Sequence, residues 1–293
     1  MKKLKLLVAS ALLSSTAVYA DDCSDPSARN CGITISGNQT IDIDSSISTT
    51  DEKGIYISNG SNTLTIDGNI TTTSSVDRAT GINIHSINAT NNIINMTGGI
   101  TTISVNGAER LKGILLSGGA SNNTVNVTGP LSTSGNFGAG IAINTGGDHN
   151  NVTLTGDMNL TGSTDSYGVA IFGQVDNLSS DNVITVNGNI NTVSNSIFAG
   201  DYVTDNNIVV NGNVQSSGQS AIRVSGAGAT NNVVVVNGNL TTTATSGSPT
   251  IQIFNQTTDN LIIIDGNVKQ LANQAAVGFG SPVDTTSNDN TII

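Results

Sequence analysis

The chain has 293 residues, a formal net charge of −11, five Phe, four Tyr and no Trp. An acidic chain this poor in aromatics disfavours nucleic acid and anionic lipid as partners. Its surplus of 39 Asn, 37 Thr and 33 Gly suits turns and strand surfaces rather than helices, and the regular spacing of its aliphatic residues indicates a thin packed core rather than disorder.

Lys2, Lys3 and Lys5 open the chain, Leu4 to Ala17 is largely apolar, and Val18-Tyr-Ala20 precedes Asp21-Asp22. This pattern predicts a secretory signal peptide over residues 1–20, cleaved after Ala20, and export through Sec. Removing its three lysines takes the formal net charge from −11 to −14. Cys23 and Cys31 follow closely and, in an oxidising compartment, are expected to form a small disulfide loop. Two cysteines without a nearby histidine do not complete a tetrahedral metal shell. Residues 21–32, with Pro26, read as an N-terminal cap; residues 33–293 read as one repeat domain.

Ile33-Thr-Ile35-Ser-Gly37 resembles a degenerate first copy of that repeat, with Cys31 where later copies carry Asn. Eight full copies follow, centred on Gly68, Gly98, Gly129, Gly156, Gly188, Gly212, Gly238 and Gly266. Six residues before each glycine stands Asn62, Asn92, Asn123, Asn150, Asn182, Asn206, Asn232 or Asn260. Positions four and two before and two after are aliphatic or Met, as in Asn182-Val-Ile-Thr-Val-Asn-Gly-Asn-Ile190. A polar, often Thr-rich stretch comes next. A second alternating run then begins on a small residue, as in Gly81-Ile-Asn-Ile84, Gly140-Ile-Ala-Ile143 and Ala221-Ile-Arg-Val224.

Successive glycines lie 30, 31, 27, 32, 24, 26 and 28 residues apart. Such a period signals stacked units. Apolar residues recur with period two and never 3.6, so the units are strands with one buried face. The pattern predicts an all-β parallel β-solenoid of eight to nine coils of 24–32 residues. At about 4.8 Å per coil the rod is roughly 40 Å long. The asparagine column is expected to point inward at a corner, where stacked amides satisfy one another and partly cover for a missing neighbour. The glycine is expected either to adopt a left-handed φ or to let the backbone bend. Asn290-Thr-Ile-Ile293 opens a ninth copy whose glycine would fall beyond the last residue, so the chain is expected to be a piece of a longer protein.

Little in the chain suggests chemistry. His85 and His149 fall in different coils and read as surface-loop histidines. Ser246-Gly-Ser-Pro249 matches part of a serine-protease nucleophile motif but lacks the preceding Gly-Asp and occupies a loop slot. Gly146-Gly-Asp-His149 and the Asp-Asn pairs at Asp181, Asp205, Asp259 and Asp289 raise weak cation binding, with solvated turn carboxylates the simpler reading. The seven basic residues past position 20 are spread along the sequence, and no carboxylate pair recurs at an acid–base spacing. No enzyme, cofactor or resident metal is expected.

The leader, the acidic low-cysteine body, the Asn-x-h-x-h-x-Gly-x-h and Gly-h-x-h runs (h, aliphatic or Met) and the open end together resemble the passenger region of a bacterial autotransporter. The resemblance covers Ile33 to Ile293. It implies a right-handed β-helix displayed on the cell surface by a C-terminal outer-membrane β-barrel, for which this sequence holds no matching segment. The expected role is a structural or adhesive display rod contacting host or bacterial surface molecules. The alternatives are the stalk of a surface enzyme whose catalytic part lies outside this sequence, or a carbohydrate-binding β-helix.

Overall fold

A computed structural model describes residues 32–162, 165–244, 247–272, 275–279 and 289–293, and the backbone of 18–20. Cys23 and Cys31 lie outside the described residues. Alternating aliphatic and polar residues form strands of two to six residues, with no helix among the described residues. They stack as a parallel β-solenoid of about eight turns with three faces.

Ten strands, from Thr40–Ile43 to Thr291–Ile292, form what we call the asparagine sheet. Nine strands, from Ile47–Thr50 to Val268–Gln270, form the threonine sheet. The third, here the groove sheet, has eleven strands; it begins with Val18–Ala20 beside Ile33–Ile35 and ends at Val277–Phe279. The pairing of Val18–Ala20 with Ile33–Ile35 is antiparallel, so cleavage after Ala20 would remove the strand at that edge.

Register is constant although coil length is not. Val125, Val152, Ile184, Ile208, Val234 and Ile262 pair in succession along the rod. A slip of one residue would turn every aliphatic side chain outward, so length variation is confined to the connectors. The aliphatic columns from all three sheets are buried and merge into one core. Each such side chain contributes about 1.5–3 kcal/mol over its exposed state.

The asparagines do what their spacing predicts, and the bonding is one-directional. Asn182 donates both its backbone N–H and its amide N–H to Asn206 Oδ1, at 3.1 and 2.9 Å. Asn206 donates in the same way to Asn232, at 3.2 and 2.9 Å. The remaining amide hydrogen of each reaches back to a connector carbonyl: Asn182 to Gly147 O and Asn206 to Ser179 O. Both lone pairs and both hydrogens of a buried amide are thereby used. Asn290 continues the ladder, accepting from Asn260 at 2.9 Å, as the sequence predicts.

The corner glycine is explained by close approach. A Cβ on Gly212 would lie 2.3 Å from Gly188 O and 2.6 Å from Gly188 C, and Gly188, Gly238 and Gly266 stand in the same relation to the coil before them. Gly212 has no left-handed φ, whereas Gly98, Gly129 and Gly156 do. Crowding by the preceding backbone is common to the column; φ strain is not.

Two sequence expectations are corrected. Ile33–Ile35 is not the first copy of the main unit, because it pairs with Ile55–Ile57 in the groove sheet. The first copy is Gln39–Ile47: Ile41 pairs with Leu64 and Ile43 with Ile66. Gln39 fills the asparagine position, its N–H donating to Asn62 Oδ1 at 3.0 Å. Ser45 stands beneath Gly68, tolerated because no earlier coil among the described residues crowds it. Both kinds of run alternate with period two, so five residues of pattern do not tell them apart. The Thr-rich stretches, read as polar connectors, are strands. Thr72, Thr102, Thr133, Ser216 and Thr242 face inward and are buried, alternating with Ile70, Ile100, Leu131, Val214 and Leu240.

The ladder's direction sharpens the expected effect of its loss. Asn206→Leu strands two donors on Asn182 and the carbonyl of Ser179, at about 1–3 kcal/mol for each buried group left unpaired. It should therefore destabilise more than Ile208→Val, expected at about 0.5–1.5 kcal/mol. Gly212→Ala should also lower the melting temperature. Thermal melts of the three variants check this order; an unchanged Gly212→Ala melt would contradict the crowding at that corner.

Candidate functional site: a groove on the outer face of one sheet

Coils make left-handed corners at two places, though not every coil makes both, and the two are built differently. Before the asparagine ladder stand Asn91, Asn122, His149, Asp181, Asp205, Asn231, Asp259 and Asp289, with φ between 51° and 57°. Asn, Asp and His are the residues that tolerate this conformation best after glycine. The Asp-Asn pairs and His149 are thus accounted for by the backbone. Asp148, His149 and Asp181 bring ligand atoms within 4.8 Å of one another. His149 Nδ1 is 3.0 Å from the Asp148 carboxylate and its Nε2 is 3.8 Å from that of Asp181. Asp148 also accepts from Ser180 Oγ. This cluster is a by-product of stacking corner residues.

In five coils the second corner lies three residues before the glycine at the start of a groove-sheet strand (Gly54, Gly81, Gly113, Gly140 and Gly168). It holds Asp51 (φ 61°), Arg78 (74°), Arg110 (60°), Phe137 (53°) and Asp165 (40°). Arg and Phe have no local reason to adopt a left-handed conformation, and Asn or Gly would do so at lower cost. Backbone held in this way points to a requirement on the side chain.

These residues form one wall of a groove of about 860 Å³ that runs along the outer face of the groove sheet, continued by a space of about 300 Å³. The floor is made of the outward positions of successive strands: Tyr56, Asn83, Leu115 and Ala142 are in register. Toward the later coils Tyr167, Phe172 and Phe198 close the floor as an aromatic cluster, with centroids 4.9–5.6 Å apart. Arg223 lies over Phe198 and Phe254, at 5.4 and 4.9 Å, and Lys53 over Tyr56, at 4.5 Å.

The basic residues that look scattered in sequence are therefore gathered in space. Of the seven past position 20, Lys53, Arg78, Arg110, Lys112 and Arg223 share this face. No carboxylate among the described residues ion-pairs with them. The acids on the same rim are partly occupied. Asp51 accepts from Ser75 N–H at 2.6 Å, which is the main reason its pKa is lowered; Asp77 accepts from Glu109 N–H at 2.8 Å. Burial, and then Arg78 and Arg110, push Lys112 down to about 8. Burial chiefly, with Asp165 adding to it and Arg223 opposing, pushes Tyr167 up to about 12. On the floor, the Oδ1 atoms of Asn83 and Asn144 are buried without a hydrogen-bond partner.

His85, read as a loop histidine, instead lines this groove, with Nδ1 2.9 Å from Ser117 Oγ. No carboxylate among the described residues orients its ring. Gly247 to Pro249 lie in the loop between Leu240–Thr242 and Ile251–Phe254, as expected; Ser246 and the side chain of Ala20 lie outside what is described. Sequence reasoning missed the groove residues. Alignment on the second run, rather than the first, would have exposed the Asp-Arg-Arg-Phe-Asp column. No protein-family model, curated protein or solved structure matches the chain.

The depressed pKa of Lys112 makes a pH prediction. Between about 8 and its ordinary 10.5 the unfolded chain binds the extra proton, so stability rises with pH across that window. Below it, the charged form opposes folding. Lys112→Met should melt higher than the parent near pH 7, with the advantage shrinking toward pH 10. An equal or lower melting temperature near pH 7 would show that Lys112 is well accommodated as a cation.

Proposed function

We propose that this chain is the exported, surface-displayed rod of an autotransporter-like protein and that it acts by contact rather than catalysis. The observation that carries this reading is the division of labour in each coil. The inward positions repeat one structural solution throughout, while the outward face of a single sheet collects five of the cations and most of the rings past position 20. A continuous solenoid presents such a face at a distance from its anchor, and the leader over residues 1–20 supplies the route out of the cytoplasm. The partner in this reading is a molecule on a host or bacterial surface, and the membrane anchor is an outer-membrane β-barrel of the full-length protein.

Export is tested in the producing cells. Mass spectrometry of the mature product should give an N-terminus at Asp21, and antibody should label intact cells, with the label lost on brief protease treatment. An intact product retained in the cytoplasm with residues 1–20 attached would overturn the proposal.

A further inference from the structure

We infer that the groove binds an acidic polysaccharide, specifically a chain of pyranose rings carrying carboxylates at intervals; this rests on the display reading above and names its ligand class. Three features of the groove converge on that chemistry.

The first is charge. A chain with a formal net charge of −11 holds Arg78, Arg110 and Lys112 side by side without carboxylate partners among the described residues. Asp51, Glu52 and Asp77 line the same groove, and Lys112 Nζ donates to Arg110 O at 3.0 Å. The two guanidinium groups, without carboxylate partners among the described residues, are thus the part of it complementary to a carboxylate. The second is conformation. At this corner the left-handed positions of three coils are filled by Arg78, Arg110 and Phe137, residues with no backbone preference for that conformation; Ser86, Thr145, Tyr202 and Gln256 adopt it elsewhere singly, not as a column. The third is hydrogen bonding. Asn83, 6% exposed, and Asn144 line the groove with their Oδ1 atoms enclosed and unpartnered. A rotation of either amide would present one of these acceptors to a ligand donor.

The combination selects the ligand. Phosphodiester backbones and free phosphate supply charge but few donors for these acceptors, and the acidic surface opposes a densely charged polymer. An acidic peptide could supply both, yet its backbone would meet a sheet face whose N–H and C=O groups are already paired in the stack. A uronate-type glycan brings hydroxyl donors to Asn83 and Asn144, sparse carboxylates to the arginines, and apolar ring faces to Tyr56 and the Tyr167 cluster. The coil step of about 4.8 Å is comparable to the advance of one pyranose unit, so successive rings meet successive coils.

The test uses the full chain and defined probes: hexagalacturonate, a chondroitin hexasaccharide, carboxyl-reduced hexagalacturonate and a single-stranded oligonucleotide. Calorimetry should show binding of at least one of the first two and roughly tenfold or weaker binding of the reduced probe, reflecting the loss of charged hydrogen bonds. Arg78→Asn with Arg110→Asn keeps residues suited to the left-handed corner. It should weaken binding of the acidic glycan roughly tenfold or more while the melting temperature stays equal or rises. Failure of both acidic glycans to bind, equal binding of the reduced probe, preference for the oligonucleotide, or an unaffected double variant would each overturn the inference. The export measurements are read separately: surface labelling with no glycan binding defeats this inference alone, whereas cytoplasmic retention defeats the display reading.

Discussion

The asparagine ladder is the constraint on which the solenoid depends. A buried amide is expensive unless every polar atom is used. Along most of the ladder an amide accepts two hydrogens from the coil before it and donates one to the coil after it and one to a connector, as Asn206 does between Asn182 and Asn232. These bonds form only when consecutive coils are in one register. The ladder therefore sets the register that the aliphatic columns then exploit, and coils of different length still present the same inward face. At the other end of the same strand, the glycine lets one coil's backbone lie against the next.

With stacking settled by the ladder and the core, the outward positions are free of structural duty, and the coils use them differently. On the asparagine sheet they carry further exposed amide rows, such as Asn187, Asn211 and Asn237. On the groove sheet they carry rings, cations and unpartnered acceptors. The groove is held to these features at some expense: two arginines and a phenylalanine in left-handed conformation, and a half-buried lysine crowded by other cations. A fold selected only for stacking has no use for them.

The stack was readable because its chemistry repeats. Eight copies with the same five positions identify strand period, inward face and corner, and Asn290 takes the ninth place the spacing assigns it. The groove was not readable in the same way because its residues do not repeat. Tyr56, Arg110 and Phe198 come from different coils, at different offsets from the main glycine, and meet only when the second runs are placed side by side. The same limitation misplaced the first copy: Ile33-Thr-Ile35 and Ile41-Asp-Ile43 have the same alternation, and pairing partners, not pattern, separate them. The hydroxyl column was hidden because Thr serves equally on a strand surface and inside a narrow core.

Hydrogen exchange at the ladder tests this structure most directly. The backbone amides of Asn92, Asn123, Asn150, Asn182, Asn206 and Asn232 donate to side-chain oxygens of the next coil rather than to main-chain carbonyls. If the ladder sets the register, these six amides exchange as slowly as the strand amides of Val125 and Val152 beside them. Exchange as fast as at the loop residue Gly107, with the neighbouring strands protected, would contradict it.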